Sequence, residues 1–253
     1  MRQLNGYLAG VTSLALAVSL AGCGEKRETG TVTSKSGGTT STAPPAAAVE
    51  KRDHALIRAV NAIPGRPTIT VFAGDSAAFK GVAYKKATAY QEMRDDFFHF
   101  ELKAGDKPDG ANLASNNEKL SDGGHYTVVA LPSEDPSDLN LRIYNDGLKP
   151  VTSGKARIRF INGMAGDTDV DLFMRGQKDA IFDGVNFKTE AGWKEVDPAA
   201  GTLVVKPDNK DNTLATLSGT KLEAGKSYTF VLVGKPGKYE IIKIEDAVAA
   251  QPG

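Results

Sequence analysis

Polar and apolar positions alternate along much of this chain with a period of two. Thr68-Ile-Thr-Val-Phe and Asp169-Val-Asp-Leu-Phe are the cleanest cases. The period puts Ile69 and Val71, or Val170 and Leu172, on an inner face and their Thr or Asp neighbours on an outer one. Further strand-like runs are Ala55-Leu-Ile-Arg-Ala-Val-Asn, Phe98-His-Phe-Glu-Leu-Lys, Tyr126-Thr-Val-Val-Ala-Leu and Leu139-Asn-Leu-Arg-Ile-Tyr. A second series follows: Ala156-Arg-Ile-Arg-Phe-Ile-Asn, Gly201-Thr-Leu-Val-Val-Lys, Tyr228-Thr-Phe-Val-Leu-Val and Tyr239-Glu-Ile-Ile-Lys-Ile. Asp122-Gly-Gly, Asn145-Asp-Gly and Lys235-Pro-Gly punctuate them as turns. No stretch carries the period of an amphipathic helix. The pattern predicts about seven short strands in each of two units, an all-β protein of two tandem antiparallel β-sandwiches of immunoglobulin-like type.

The two units are copies of one module. Leu120-Ser-Asp-Gly-Gly-His-Tyr-Thr-Val-Val aligns without a gap on Leu222-Glu-Ala-Gly-Lys-Ser-Tyr-Thr-Phe-Val. The opening strands align as well, pairing Ile57 with Ile158, Arg58 with Arg159 and Asn61 with Asn162. Phe79-Lys-Gly-Val-Ala-Tyr matches Phe182-Asp-Gly-Val-Asn-Phe, Tyr90 matches Trp193 and Glu92 matches Glu195. The sequence divides into an export signal over residues 1–22, a linker over 23–53, one sandwich over 54–150, a second over 151–247 and a tail over 248–253. Gly147 to Gly154 is a short joint between the sandwiches.

The N-terminus has a different character. Arg2 precedes an apolar run from Leu8 to Leu20, too short to span a bilayer comfortably and shaped like an export signal. It ends in Leu20-Ala-Gly-Cys23, which resembles the bacterial lipobox. The resemblance implies cleavage before Cys23, acylation of Cys23, and a lipid-anchored place in the cell envelope. Gly24 after the cysteine, in place of Asp, implies the outer membrane by the sorting rule of enteric bacteria. Cys23 is the only cysteine, so no disulfide can form within the chain. From Gly24 to Val49, Thr, Ser, Gly, Ala and Pro dominate, a composition expected to stay disordered as a tether. As a random coil its mean reach is roughly 30 Å.

Composition narrows the function without naming it. Lys plus Arg and Asp plus Glu are each 31 in 253 residues. A chain so balanced shows none of the concentrated basic charge that nucleic-acid binding needs. There is no Gly-x-Ser-x-Gly elbow, no phosphate-binding loop and no zinc-spaced histidine pair among His54, His99 and His125. We expect no enzyme and no cofactor.

The Arg-x-x-Asn opening strand, the Gly-Val-x-aromatic segment and the Leu-x-x-Gly-x-x-Tyr-Thr strand entry resemble the bacterial domain-of-unknown-function 4397 family. The likeness covers nearly all of the chain after the linker, once per module. It implies sandwich modules of extracytoplasmic proteins and no particular reaction.

The candidate ligand-binding residues are Asp167, Asp169, Asp171 and Trp193. Three carboxylates at period two line one strand face, and a hard cation takes oxygen ligands. A straight strand sets alternate carboxylates about 6–7 Å apart, too wide for all three to share one ion, so no metal is assigned. Asp208 to Asn212 is a loop lacking the spacing of an EF-hand. Trp193 and Tyr90 are either a sugar-stacking platform or a shared core plug. Tyr126 and Tyr228 suit a structural tyrosine corner. The expected function is a non-catalytic binding or scaffold module held at the membrane by lipid, with an envelope protein or glycan as partner. The alternatives are a glycan-binding protein, an envelope-polymer hydrolase and a passive spacer.

Overall fold

A computed structural model describes residues 53–135, 138–164, 168–235 and 237–246. The first module contains β1 (His54–Asn61), β2 (Thr68–Ala73), β3 (Ser76–Ala83), β4 (Gln91–Arg94), β5 (Phe97–Lys103), β6 (Asn112–Lys119), β7 (His125–Pro132) and β8 (Leu139–Asn145). The second contains β9 (Ala156–Asn162), β10 (Val170–Met174), β11 (Phe182–Val185), β12 (Glu190–Val196), β13 (Ala199–Pro207), β14 (Ala215–Leu222), β15 (Ser227–Lys235) and β16 (Lys238–Asp246). Among the described residues no helix is long and apolar enough to cross a membrane.

Each module is a sandwich of two four-stranded sheets. The first joins β4-β1-β7-β8 to β3-β2-β5-β6, and the second joins β12-β9-β15-β16 to β11-β10-β13-β14. The expected all-β fold is present, with one correction to its pairing. β1 runs parallel to β7, with Ile57 opposite Tyr126, and β9 runs parallel to β15, with Ile158 opposite Tyr228. A parallel pair needs a long crossover rather than a hairpin. Here the crossover runs from β2 to β6, or β10 to β14; it builds the facing sheet and adds one edge strand, β4 or β12, beside the first strand before the chain returns on its other side. The tyrosine corners are present too: Ser121 N–H donates to Tyr126 Oη at 3.1 Å and Glu223 N–H to Tyr228 Oη at 3.2 Å.

The described chain has three apolar layers. One fills the first sandwich around Ile57, Phe79, Phe100 and Val128. Another fills the second around Ile158, Phe160, Phe182 and Phe230. The middle layer belongs to both: Val60, Ala62, Val129, Leu131 and Tyr144 meet Ile161, Val231, Val233, Ile242 and Ile244. The sheets containing β1 and β9 are therefore covered on both faces. This explains why β9 is buried at every position, and β15 at all but its last, instead of alternating. β6, on the outer sheet, alternates between half-buried and exposed positions along most of its length.

The prediction that Thr70 and Asp171 face outward fails, since both are buried. Gly81 and Gly184, each with φ of 61°, open a bulge in β3 and β11. The bulge turns a backbone N–H over these side chains: Gly81 N–H points at Thr70 Oγ1 at 3.5 Å, and Gly184 N–H donates to Asp171 Oδ1 at 2.8 Å. Glycine, with no Cβ, takes that φ at the least cost.

Candidate functional site

Two clusters of polar side chains stand out. The first lies in the middle layer. Arg58 and Arg159 occupy equivalent positions on β1 and β9, on the same faces as Val60 and Ile161, and each is nearly or wholly excluded from water. Arg58 Nε donates to Thr127 Oγ1 at 2.9 Å, and its Nη2 reaches across to Asp246 Oδ1. Arg159 Nε donates to Thr229 Oγ1 at 2.8 Å, and its Nη2 reaches across to Asp146 Oδ1. The Thr127 and Thr229 hydroxyls donate in turn to the carboxylates of Asp146 and Asp246, at 2.7 and 2.8 Å. Each arginine thus pairs with the aspartate that ends the other module.

Aromatic groups close the cluster. The Tyr90 ring lies 4.7 Å from the Arg58 guanidinium, and its hydroxyl donates to Asp146 Oδ2 at 2.6 Å. The Trp193 ring lies 4.8 Å from Arg159 and 4.5 Å from Arg157, while Nε1–H donates to the Asp146 carbonyl at 2.7 Å. Burial and the Asp146 charge push the Tyr90 hydroxyl well above the usual phenol range. Burial works against the Arg159 charge, but Asp146, Asp246 and Glu190 outweigh it and hold the proton more firmly. Glu190, 3.1 Å from Arg159 Nη1, is itself raised by burial, which the arginine only partly offsets. The arginines, the two aspartates and both ring donors are committed to partners in the cluster. The arrangement is a lock.

The second cluster lies on the outer sheet of module two. Carboxylate oxygens of Asp171, Asp183 and Asp208 come within 4.8 Å of one another. They converge from three segments, β10, the β11 bulge and the turn after β13, rather than along one strand. Asp169 contributes its carbonyl, which accepts from Asp208 N–H at 2.8 Å. Asp167 lies outside the described residues. Of the three, Asp171 is a candidate in the sequence, Asp208 is read there as part of a loop, and Asp183 is missed, since a lone Asp in the Phe182-Asp-Gly-Val strand gives no local signal. In module one the matching place has Lys80 for Asp183, and Thr70 donates to Asp106.

Asp171 carries a testable cost. Burial raises its pKa first of all; Gly184 N–H pulls it down, and Asp183 and Asp208 push it up. A carboxyl whose folded pKa lies above its unfolded one loses stability as pH rises from the ordinary Asp range through the folded value. Asp171→Asn, which keeps the acceptor for Gly184, is expected to raise the urea midpoint at pH 7 and leave it unchanged near pH 3. A lower midpoint at pH 7 would mean that the carboxylate charge is needed there.

Trp193 sits at the seam between modules, apart from the aspartates. A surface depression of about 440 Å³, lined by Phe182, Asp183, Thr189, Glu190 and Lys194 among others, does not include it.

The fold and its locked seam define a tandem β-sandwich protein whose two halves are one structural unit repeated. The chain belongs to the DUF4397 family, a domain of unknown function, whose pattern matches residues 55–172 and 158–253. Among curated proteins none matches. Solved structures with some likeness include the C-terminal domain of AlgF from P. aeruginosa, at 19% identity and TM-score 0.31, covering 37% of this chain and 99% of that one. Another is a putative cell adhesion protein from Bacteroides fragilis, at 9% identity and TM-score 0.22, covering 79% of this chain and 100% of that one.

Proposed function

We propose that this protein is a lipid-anchored, extracytoplasmic scaffold, a non-catalytic binding module presented at the bacterial cell envelope. One observation carries the scaffold reading: the two sandwiches are joined by an apolar layer and reciprocal buried Arg–Asp pairs into a single body. Such a body holds a fixed geometry between its ends, which a flexible pair of binding domains would not. The anchor reading rests on Leu20-Ala-Gly-Cys23, and the Thr-, Ser- and Gly-rich stretch after it would set the body off from the lipid. Two or more acyl chains anchor stably, where one is marginal.

Cys23→Ala tests the anchor. The variant is expected to move from the membrane to the soluble fraction with an unchanged circular dichroism spectrum. A variant that stays with membranes defeats the lipid anchor. The partner is expected among envelope proteins and glycans, and capture from native envelope with the immobilised body would identify it. A body that captures neither leaves a passive spacer.

A further inference from the structure

We propose that the seam is a self-complementary dimerisation surface, and that the second module, freed of the first, pairs with a second copy of itself. The two halves of the seam are equivalent. Strand register places Asp146 and Asp246 at matching positions, since Tyr126 lies opposite Asn145 and Tyr228 opposite Glu245. Arg58 matches Arg159, and Thr127 matches Thr229. The contacts Arg58–Asp246 and Arg159–Asp146 are therefore one contact made twice, related by an approximate two-fold axis. In an isologous interface residue i meets j while j meets i. The seam has that form within one chain.

The middle layer shows which module can meet its own copy. On the second module the face consists of Ile161, Gly163, Val231, Val233, Ile242 and Ile244. Two copies would set each Arg159 against the other's Asp246 while it keeps its own Glu190, around a facing layer of Ile161, Val231, Val233, Ile242 and Ile244. On the first module Arg142 stands where the second has Ile242. Gly163 supplies a steric difference as well. A Cβ there would lie 2.5 Å from Leu131 Cδ2 across the seam. The matching residue of module one is Ala62, which has that Cβ. Two first modules would drive each Ala62 into the other's Leu131. Two second modules would set Gly163 against Val233, which is smaller than Leu131. The first module is thus excluded from pairing with itself, and the second is not.

The test starts from the folded full chain carrying a protease site between Lys149 and Pro150. Native cleavage is followed by dilution to force dissociation, reconcentration to tens of micromolar, and native mass spectrometry. The expected species are the original pair of unlike halves and a homodimer of the second half, without a homodimer of the first. A spectrum with only unlike pairs, or only single halves, overturns the proposal. Homodimers of both halves in equal amounts overturn its steric part. Two charge variants separate geometry from mere stickiness. Second halves with R159D alone, or with D246R alone, are expected to lose the homodimer at least tenfold. Mixing the two restores opposite charges at both contacts and is expected to restore the dimer. Association of each variant by itself would show that exposed apolar surface, rather than this register, drives it.

Discussion

Arg159→Ala is expected to destabilise the folded body by about 3–5 kcal/mol, the cost of breaking a buried ion pair by removing one partner. Asp146 would keep Thr127, Tyr90 and Trp193 as donors but lose the only ion-pair partner it has among the described residues, in a place with no exposed side-chain surface. Thr229 would lose the Nε donor and Glu190 its closest cation. The measurement is urea unfolding followed by fluorescence of Trp193, the only tryptophan in the chain, which sits at the seam. A double-mutant cycle with Asp146→Ala isolates the pair, and the expected coupling is above about 1 kcal/mol, as for residues sharing one network. A loss below about 1 kcal/mol for Arg159→Ala would place the pair with exposed salt bridges, and solvent would have to reach Asp146.

Val231→Asp is expected to part the modules while leaving each sandwich folded. Val231 lies on β15 at the centre of the middle layer and is wholly buried. A carboxylate there would sit among the apolar side chains of the middle layer, and leaving it ionised in such a setting costs several kcal/mol. The side chain points away from the second sandwich's own core, whose β15 members are Tyr228, Phe230 and Leu232. The expected result has three parts: an increased radius of gyration by solution scattering, a red-shifted Trp193 emission, and protease cutting within residues 147–155. That segment is tied down in the intact protein, where Arg157 donates to the carbonyls of Gly147 and Lys149 and Glu195 accepts from Thr152 N–H. If circular dichroism shows that Val231→Asp abolishes the β-sheet signal altogether, the modules depend on the seam to fold and are not independent domains.

The strand around Phe100 was legible because a half-buried strand must alternate, and the run around Ile69 keeps that period in sequence although Thr70 is buried beneath the bulge. Edge strand β6, Asn-Leu-Ala-Ser-Asn-Asn-Glu-Lys, was not legible, since too little of it is buried to demand apolar residues. Short β4 is exposed at three of its four positions and left no pattern either. Tyr126-Thr-Val-Val-Ala-Leu and Tyr228-Thr-Phe-Val-Leu-Val held a clue to burial on both faces, because they break the alternation of a strand with one face in water. Which surface covers the second face is not written in either run.

The candidate site divides the same way. Repetition picked out Arg58 with Arg159 and Tyr90 with Trp193, but one sequence repeated in two modules says only that each position matters alike in both. Their partners, Asp146 just past β8 and Asp246 at the end of β16, lie where local sequence gives no reason to expect a buried charge. Asp171 was singled out for its neighbours along the strand, yet its real neighbours arrive from a bulge and a turn.

The sequence by itself determined the β class, the doubling of the module, the tyrosine corners and the lipobox-like start, because each depends on local period, local turn chemistry or direct repetition. Tertiary structure alone decided that the two sandwiches share a third apolar layer and exchange arginines across it. That outcome depends on side chains far apart in the chain, Arg58 and Asp246 above all. Burying their charges becomes tolerable only once both faces have closed and each charge has found its opposite.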